Sequence, residues 1–133
     1  LLLNEFVWYA YRDRAITLFE AEFRRNFCHV CDAAKAIIHT INNFERMRNN
    51  IYNVGDSKAN LTKRQLCEKI ITHLPDISIV TTPIGEDQDK RNYTVSNAKI
   101  EATGWSPTIT IDDGIIGLLK LYPGLPRFIF GNL

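Results

Sequence analysis

Two segments combine arginine with side chains that could hold an anionic ligand. The first is residues 24–32, where Arg24 and Arg25 precede a short apolar run that ends at Asp32. A guanidinium beside the start of a strand, followed by a capped helix, can present its planar set of N–H donors to a phosphate group. The other interpretation is a surface arginine pair that solvates a loop, and these residues alone leave both interpretations open.

The second segment is the polar run at residues 87–93. Arg91 follows acidic residues that could orient its guanidinium, and Tyr93 could supply a hydroxyl group. A charge run of this kind is more commonly a solvated loop. By itself the segment is therefore only a weak indication of a binding site.

Cys28 and Cys31 have the Cys-x-x-Cys spacing of a zinc site or a redox pair, with His29 between them. A structural zinc site needs a second pair of ligands at suitable spacing. The remaining cysteine and the other two histidines do not form one. We therefore predict no metal site, and we expect the cysteines to be small buried side chains and His29 to bond the backbone.

The chain lacks the usual sequence features of dinucleotide binding. Its seven glycines form no phosphate-binding loop between a strand and a helix, and none of its five tyrosines has lysine four positions later. Neither a dinucleotide site nor a tyrosine–lysine proton relay can be assembled from these residues.

Charge and hydropathy exclude several classes of protein. Sixteen basic against fifteen acidic residues leave a formal charge of +1, and the arginines are dispersed without a nucleic-acid-binding motif. No apolar run approaches the length of about 18 residues that a membrane span needs. An odd count of three cysteines suits a reducing compartment. We expect a cytoplasmic protein that binds neither nucleic acid nor membrane and, without an initiator methionine, is part of something longer.

Apolar periodicity predicts one continuous α/β pattern of short elements. Thr62 and Gln65 have the spacing of a capping box at the start of the clearest helix, and Thr110 and Asp113 cap the last one. The predicted helices are residues 4–11, 32–41, 62–74, 96–104 and 110–122, and the predicted strands are residues 15–19, 27–30, 51–54 and 77–81.

Asp32 is predicted to cap the second helix, because its carboxylate can accept the free N–H groups of the first turn. Beyond it, Ala34, Ile37, Ile38 and Ile41 form an apolar stripe. Such a stripe is the pattern of a helix that packs against a core.

Five segments, in this order, resemble the C-terminal third of the extended short-chain dehydrogenases/reductases that act on nucleotide-activated sugars. The block from Arg25 to Asp32 is similar to the family's Arg-Asp-Phe/Tyr-x-His-Val-x-Asp, with Asn26 in place of the usual aspartate. The others are similar to its Tyr-Asn-Val/Leu-Gly strand, its Asp-x-Arg-x-Tyr segment, its Ser-Lys-(Ala/Ile) helix with a Gly-(Trp/Phe)-x-Pro exit, and the start of its closing helix (residues 51–55, 89–93, 96–107 and 111–115).

The resemblance implies roles for five residues. Arg25 would contact the diphosphate of the substrate, and Arg91 would be a second diphosphate or ribose contact. Tyr93 lies in the same motif as Arg91, Phe19 would lie near the nucleotide base, and Asn4 falls where the family often places a substrate-contacting asparagine.

The implied fold is α/β, the small mixed α/β substrate-binding lobe of a Rossmann-type enzyme, over residues 1–122 with a tail at 123–133. The catalytic Tyr-x-x-x-Lys pair and the residues that bind NAD(P) would lie outside this chain. Its partners would be a nucleotide-diphosphate sugar and the N-terminal Rossmann domain, with a homodimer as a further expectation. The alternative is a stand-alone, non-catalytic nucleotide-sugar-binding or regulatory module.

Overall fold

The computed structural model describes residues 2–82 and 91–125, which alternate between short helices and short strands. The helices are α1 (Leu2–Asp13), α2 (Val30–Asn42), α3 (Phe44–Met47), α4 (Lys63–His73), α5 (Ala98–Glu101) and α6 (Ile111–Leu121), with 3-10 turns at Ser57–Ala59 and Tyr122–Gly124. The strands are β1 (Ala15–Leu18), β2 (Arg24–Asn26), β3 (Asn60–Thr62) and β4 (Ser78–Thr81).

The four strands form two separate two-stranded sheets. β1 runs parallel to β4, with Ala15 opposite Ser78 at the start of the register. β2 runs antiparallel to β3, with Arg25 opposite Leu61. Two strands are rarely stable alone, so each pair depends on the helices that pack against it.

The larger core joins α1, β1, α4 and α6. Val7, Ile16, Leu66, Ile70 and Ile115 are fully buried within it. The spacing of Leu66 and Ile70 places both on one face of α4, which is why this largely polar helix packs here. This core fixes α1 and α6 relative to each other, and both helices border the candidate site described below.

A smaller core joins α2, α3 and α5. It consists of Ala36 of α2, Met47 of α3, Ile100 of α5 and the nearby Trp105, with Tyr52 packed against them. Of the residues of α2, only Asp32 and Ala36 are buried. Helix α2 therefore packs against the rest of the described chain through only a narrow strip of its surface.

Both predicted capping boxes are present. Thr62 Oγ1 accepts the N–H of Gln65 at 3.0 Å while Gln65 Oε1 accepts the N–H of Thr62 at 2.9 Å. Thr110 and Asp113 make the equivalent reciprocal pair at the start of α6, at 3.1 and 3.0 Å. These bonds join residues three apart, so local sequence was enough to predict where α4 and α6 begin.

The predictions around α2 were wrong in two respects. The strand lies at Arg24–Asn26 rather than residues 27–30, and His29, not Asp32, caps the helix through its Nδ1, which accepts the N–H of Cys31 at 3.2 Å. Asp32 lies inside the first turn and is fully buried. Its carboxylate accepts hydrogen bonds from a distant segment and from the side chain of Lys35 rather than from the backbone of its own helix, which local spacing does not reveal.

Two further predictions differ from the structure. Residues 51–54 form no strand with any described residue, and Ile51 is exposed. The predicted helix at 96–104 is shortened to α5, and Asn97 occupies its N-cap position. The first four residues of the polar run at 87–93 and most of the tail at 123–133 lie outside the described residues.

Candidate functional site

A cleft of about 610 Å³ opens between the start of α1, the β2–α2 connection, the segment before α6 and one face of α6. Its wall includes Leu2, Leu3, Ile109 and Leu118, and its polar side includes Arg25. Ligand sites commonly combine apolar walls with a few polar groups that fix orientation. The volume lies within the range of small-molecule sites.

Three of the residues predicted from the sequence come together at this cleft. Asn4 at the start of α1, Arg25 on β2 and Tyr93 all line it, although they lie far apart in the chain. Tyr93 is held beside β2 by its backbone N–H, which donates to the carbonyl of Arg24 at 3.5 Å. The structure thus brings both arginine-containing segments to one place, while the binding roles of these residues stay predictions.

The guanidinium of Arg25 is held in a defined position. Its Nη1 donates to the carbonyl oxygen of Arg24 at 2.8 Å and also to that of Arg91. Its Cζ lies 5.3 Å from the centre of the Tyr93 ring, within the distance of a cation–π contact. Arg25 is buried and Arg24 exposed, because consecutive side chains of a strand point to opposite faces.

Phe19 and Arg91 do not line the cleft. Phe19 follows β1, and its carbonyl oxygen accepts a bond from Nζ of the buried Lys63 at 3.1 Å. Arg91 is exposed at the start of the second described range, and it contributes its carbonyl oxygen to the orientation of Arg25. Its connection to the site is thus through the main chain.

Asn26 joins three segments beside Arg25. Its Nδ2 donates to the carbonyl of Asp56 at 2.7 Å, and its Oδ1 accepts from Nδ2 of Asn97 at 3.3 Å. A Cβ at Gly55 would lie 1.8 Å from Asn26 Oδ1, so only glycine fits there. At position 26 the family that the sequence resembles usually has aspartate. This chain needs the amide of Asn26 there, because a carboxylate could not donate a hydrogen bond to the carbonyl of Asp56.

Asp32 fixes the segment that leads into α6. Its Oδ2 accepts the N–H groups of Thr108 and Ile109 at 3.0 and 2.8 Å, and its Oδ1 accepts from Thr108 Oγ1 at 2.9 Å and Lys35 Nζ at 3.2 Å. Burial raises the pKa of this carboxyl, but these bonds outweigh it and hold the pKa below its usual range. Ile109 lines the cleft, so Asp32 positions one of its walls.

His29, Gly114 and Gly117 are among the cleft residues that sequence reasoning missed. Because His29 Nδ1 accepts a backbone N–H, the neutral ring carries its proton on Nε2. The ring edge lies 4.0 Å from where a Cβ of Gly114 would stand, and Gly117 lies one turn further along the same cleft wall. The spacing of two glycines on one face of an apolar helix was the available signal.

The cysteines do not form a visible metal site. Within residues 2–82 and 91–125, no group of three or more histidine, cysteine or acidic side chains is arranged to hold a metal ion. Burial raises the pKa of the Cys28 thiol, and raises that of Cys67 to about 12. Cys31 is exposed. Over the same described ranges, the helices are too short or too polar to cross a bilayer.

Solved structures share this fold, although no family model matches the sequence. The UDP-glucose 4-epimerase of Thermotoga maritima with UDP-glucose is 19% identical with a TM-score of 0.74, over 93% of this chain and 40% of that one. RMD from Pseudomonas aeruginosa complexed with NADPH is 20% identical with a TM-score of 0.71, over 93% of this chain and 43% of that one.

A third similar structure is TunA, an NAD-dependent NDP-hexosamine 5,6-dehydratase, at 13% identity and a TM-score of 0.75 over 95% of this chain and 41% of that one. The chain has the fold of one part of an extended Rossmann-type enzyme. It spans only about 40% of the length of the enzymes that it matches. At these identities the likeness concerns the fold, and the activity has to be argued from the site.

Proposed function

We propose that the chain is the C-terminal, substrate-binding part of an NAD-dependent nucleotide-sugar epimerase or dehydratase, and that its cleft holds the nucleotide diphosphate. The observation that carries the proposal is the buried, oriented guanidinium of Arg25 on the polar side of the cleft. It lies in a fold shared with an enzyme solved with UDP-glucose.

The described residues suit the parts of such a substrate. Arginine presents several N–H donors in a rigid plane, and Arg25 Nη1 is already committed to two carbonyls that set the direction of the fork. Tyr93 and Asn4 supply polar groups at the same cleft, and the aliphatic wall of α6 offers an apolar surface to a ring. Arg91 is proposed as a second diphosphate or ribose contact, and Phe19 as a contact of the nucleotide base. Both would act from outside the lining of the cleft.

The nicotinamide cofactor does not fit the residues of this chain. There is no glycine-rich phosphate loop and no Tyr-x-x-x-Lys pair in the sequence. The chain's own contribution is therefore to bind and orient the sugar nucleotide, and we expect it to be inactive alone. The cofactor named for the similar structures supports an NAD(P)-dependent complete enzyme, with the redox chemistry performed elsewhere.

Replacing Arg25 tests the proposed diphosphate contact. A charge-assisted hydrogen bond contributes about 1.5–3 kcal/mol, so Arg25→Ala in the complete enzyme should weaken binding of the nucleotide-sugar about ten- to a hundredfold. Isothermal titration with UDP-, GDP- and dTDP-sugars measures the change and also identifies the base.

Arg24→Ala is the matched control, because Arg24 is the exposed neighbour on the same strand. It should leave the affinity nearly unchanged. Equal affinity for the wild type and Arg25→Ala, with both proteins folded, would remove Arg25 and the proposed diphosphate site.

The alternative function is a stand-alone module that binds nucleotide-sugars without catalysis. The reading frame upstream of Leu1 separates the two. Roughly 180–200 further codons that encode a glycine-rich phosphate loop and a Tyr-x-x-x-Lys pair would complete a cofactor domain. A start codon directly before Leu1 would leave the binding module.

A further inference from the structure

Residues 91–96 are attached to the sheet of β2 and β3 without forming a strand of it. A side-chain amide replaces the missing backbone ladder. Asn60, the first residue of β3, donates from Nδ2 to the carbonyl of Val95 at 3.0 Å and accepts the N–H of Val95 on Oδ1 at 2.9 Å. One side chain thus makes both bonds that two paired residues of an antiparallel sheet exchange.

A second asparagine, Asn92, attaches the same segment near its other end. Its Oδ1 accepts the backbone N–H of Arg24 at 2.9 Å. The next residue, Tyr93, donates its backbone N–H to the carbonyl of Arg24 at 3.5 Å. Residues 92–95 are therefore fixed at two points, one on β2 and one on β3, and a side-chain amide takes part at each.

The attached segment carries two of the groups that surround the guanidinium of Arg25. Nη1 of Arg25 donates to the carbonyl oxygen of Arg91, the residue directly before Asn92. The Tyr93 ring lies 5.3 Å from the Cζ of Arg25. Any displacement of the segment would move both the carbonyl and the ring. The orientation of the guanidinium consequently depends on where the segment is held.

The amide chemistry of Asn60 is needed for this attachment. A carboxylate of the same shape could accept the N–H of Val95 but could not donate to its carbonyl, and alanine could do neither. Neither Asn60 nor Asn92 lines the cleft, so any effect of these side chains on a ligand there must pass through other residues.

We propose that Asn60 and Asn92 are positioning residues of the candidate site, which hold residues 91–95 against β2 and β3 and thereby orient Arg25 for an anionic ligand. A guanidinium that is already in place does not have to be ordered when the ligand binds, and this raises the affinity. The inference rests on the proposed function, in which Arg25 contacts the diphosphate of a nucleotide-sugar.

Coupling to Arg25 tests the positioning role. Asn60→Ala and Asn92→Ala are made in the complete polypeptide encoded by the gene of this chain, with and without Arg25→Ala, and are titrated with UDP-, GDP- and dTDP-sugars. Each asparagine variant should bind the preferred sugar nucleotide about tenfold more weakly than the wild type. In the Arg25→Ala background the same changes should cost less than about twofold, because the group that they orient is missing.

Asn50→Ala is the matched control, since Asn50 Nδ2 also donates to a backbone carbonyl, that of Arg48 at 3.0 Å, but only two residues away. Its affinity should stay within about twofold of the wild type. Equal losses of affinity with and without Arg25 would show a general structural effect and overturn the inference. Unchanged affinity in both asparagine variants would overturn it as well.

Labelling with phenylglyoxal, which modifies arginine side chains, gives a reading without a ligand. Mass spectrometry follows Arg25 and its exposed neighbour Arg24 separately. In the wild type, buried Arg25 should label about tenfold more slowly than Arg24. In either asparagine variant the rate at Arg25 should rise at least about fivefold while that at Arg24 stays constant. Equal rates at the two arginines in the wild type would overturn the inference.

Circular dichroism checks the fold of each variant. Asn92 lies outside the helices and strands, so Asn92→Ala keeps the test available if Asn60→Ala does not fold. Faster labelling of Arg25 in the variants, without binding of any of the three sugar nucleotides to the wild type, would retain the positioning role and reject the proposed substrate. Binding that Arg25→Ala weakens and the asparagine variants do not would retain the substrate and reject the positioning role.

Discussion

At this site, close contacts with neighbouring residues determine which side chain is buried and which residue type fits at a position. Arg25 and Arg24 are adjacent and chemically identical, yet one is buried at the cleft and the other is exposed. The pairing of β2 with β3 determines which of the two arginines is buried. Asn26 and Gly55 are coupled just as tightly, since any Cβ at Gly55 would overlap the Asn26 amide oxygen.

Gly55→Ala should therefore destabilise the protein by about 2–4 kcal/mol, because relief of the overlap must displace Asn26 and its bond to the carbonyl of Asp56. Urea denaturation followed by circular dichroism measures the change. Gly117→Ala is the control: a Cβ there meets nothing within 4 Å, so the exchange should be neutral or stabilising by up to about 1 kcal/mol. If both variants lost equal stability, the close packing at Gly55 would be disproved.

At the scale of elements, α2 joins the parts of this chain more by polar bonds than by apolar packing. Asp32 connects its first turn to the segment before α6. The apolar residues that the pattern assigned to the core face outward instead. The stability of this connection consequently depends on the charge state of one carboxylate.

Lowering the pH should weaken the hydrogen bonds by which Asp32 connects α2 to the segment before α6. The folded-state pKa of Asp32 is depressed, so its contribution is fully present above the unfolded-state pKa of about 4 and is lost as the pH falls through the folded value. Asp32→Asn should lower the stability at pH 7 by about 2–4 kcal/mol and flatten the decline below about pH 4. Thermal melts between pH 3 and pH 7 measure both effects.

Asp112 provides a comparison, since its pKa is also lowered, through hydrogen bonds from Lys69 and His73, but its carboxylate is partly exposed. Asp112→Asn should cost less than about 1 kcal/mol at pH 7. An acid decline as steep in Asp32→Asn as in the wild type would contradict the role given to Asp32.

At the scale of the whole molecule, one core contains most of the buried apolar residues within ranges 2–82 and 91–125, and α1, β1, α4 and α6 all contribute to it. Cys67 lies fully buried in this core. A thiol in that position reports on cooperative opening of the core rather than on local movement, because reagent cannot reach it otherwise.

Cys67 should therefore react with a thiol reagent only through global unfolding. Its pKa of about 12 leaves almost no thiolate at pH 8, whereas exposed Cys31 should react at once. Labelling rates measured against urea concentration should give Cys67 the same denaturant dependence as circular dichroism. Rapid labelling of Cys67 without urea would show that the core opens without unfolding.

Sequence by itself determined the features that depend on neighbours three or four residues away. The starts of α4 and α6 follow from reciprocal capping bonds, and α1, β1 and β4 follow from local apolar patterns. The order of motifs also predicted the fold class, which the solved structures share. The residue types of Arg25 and Tyr93 marked both as candidates for ligand binding before their positions were known.

Only the tertiary structure decided which residues meet. It brought Asn4, Arg25 and Tyr93 to one cleft, left the side chains of Phe19 and Arg91 outside it, and turned Asp32 inward while His29 capped its helix. It also left the stripe of α2 and residues 51–54 uncovered. A periodic pattern states that a face is apolar, but not which body covers it, because burial depends on contacts between segments that are distant in sequence or belong to another part of the protein.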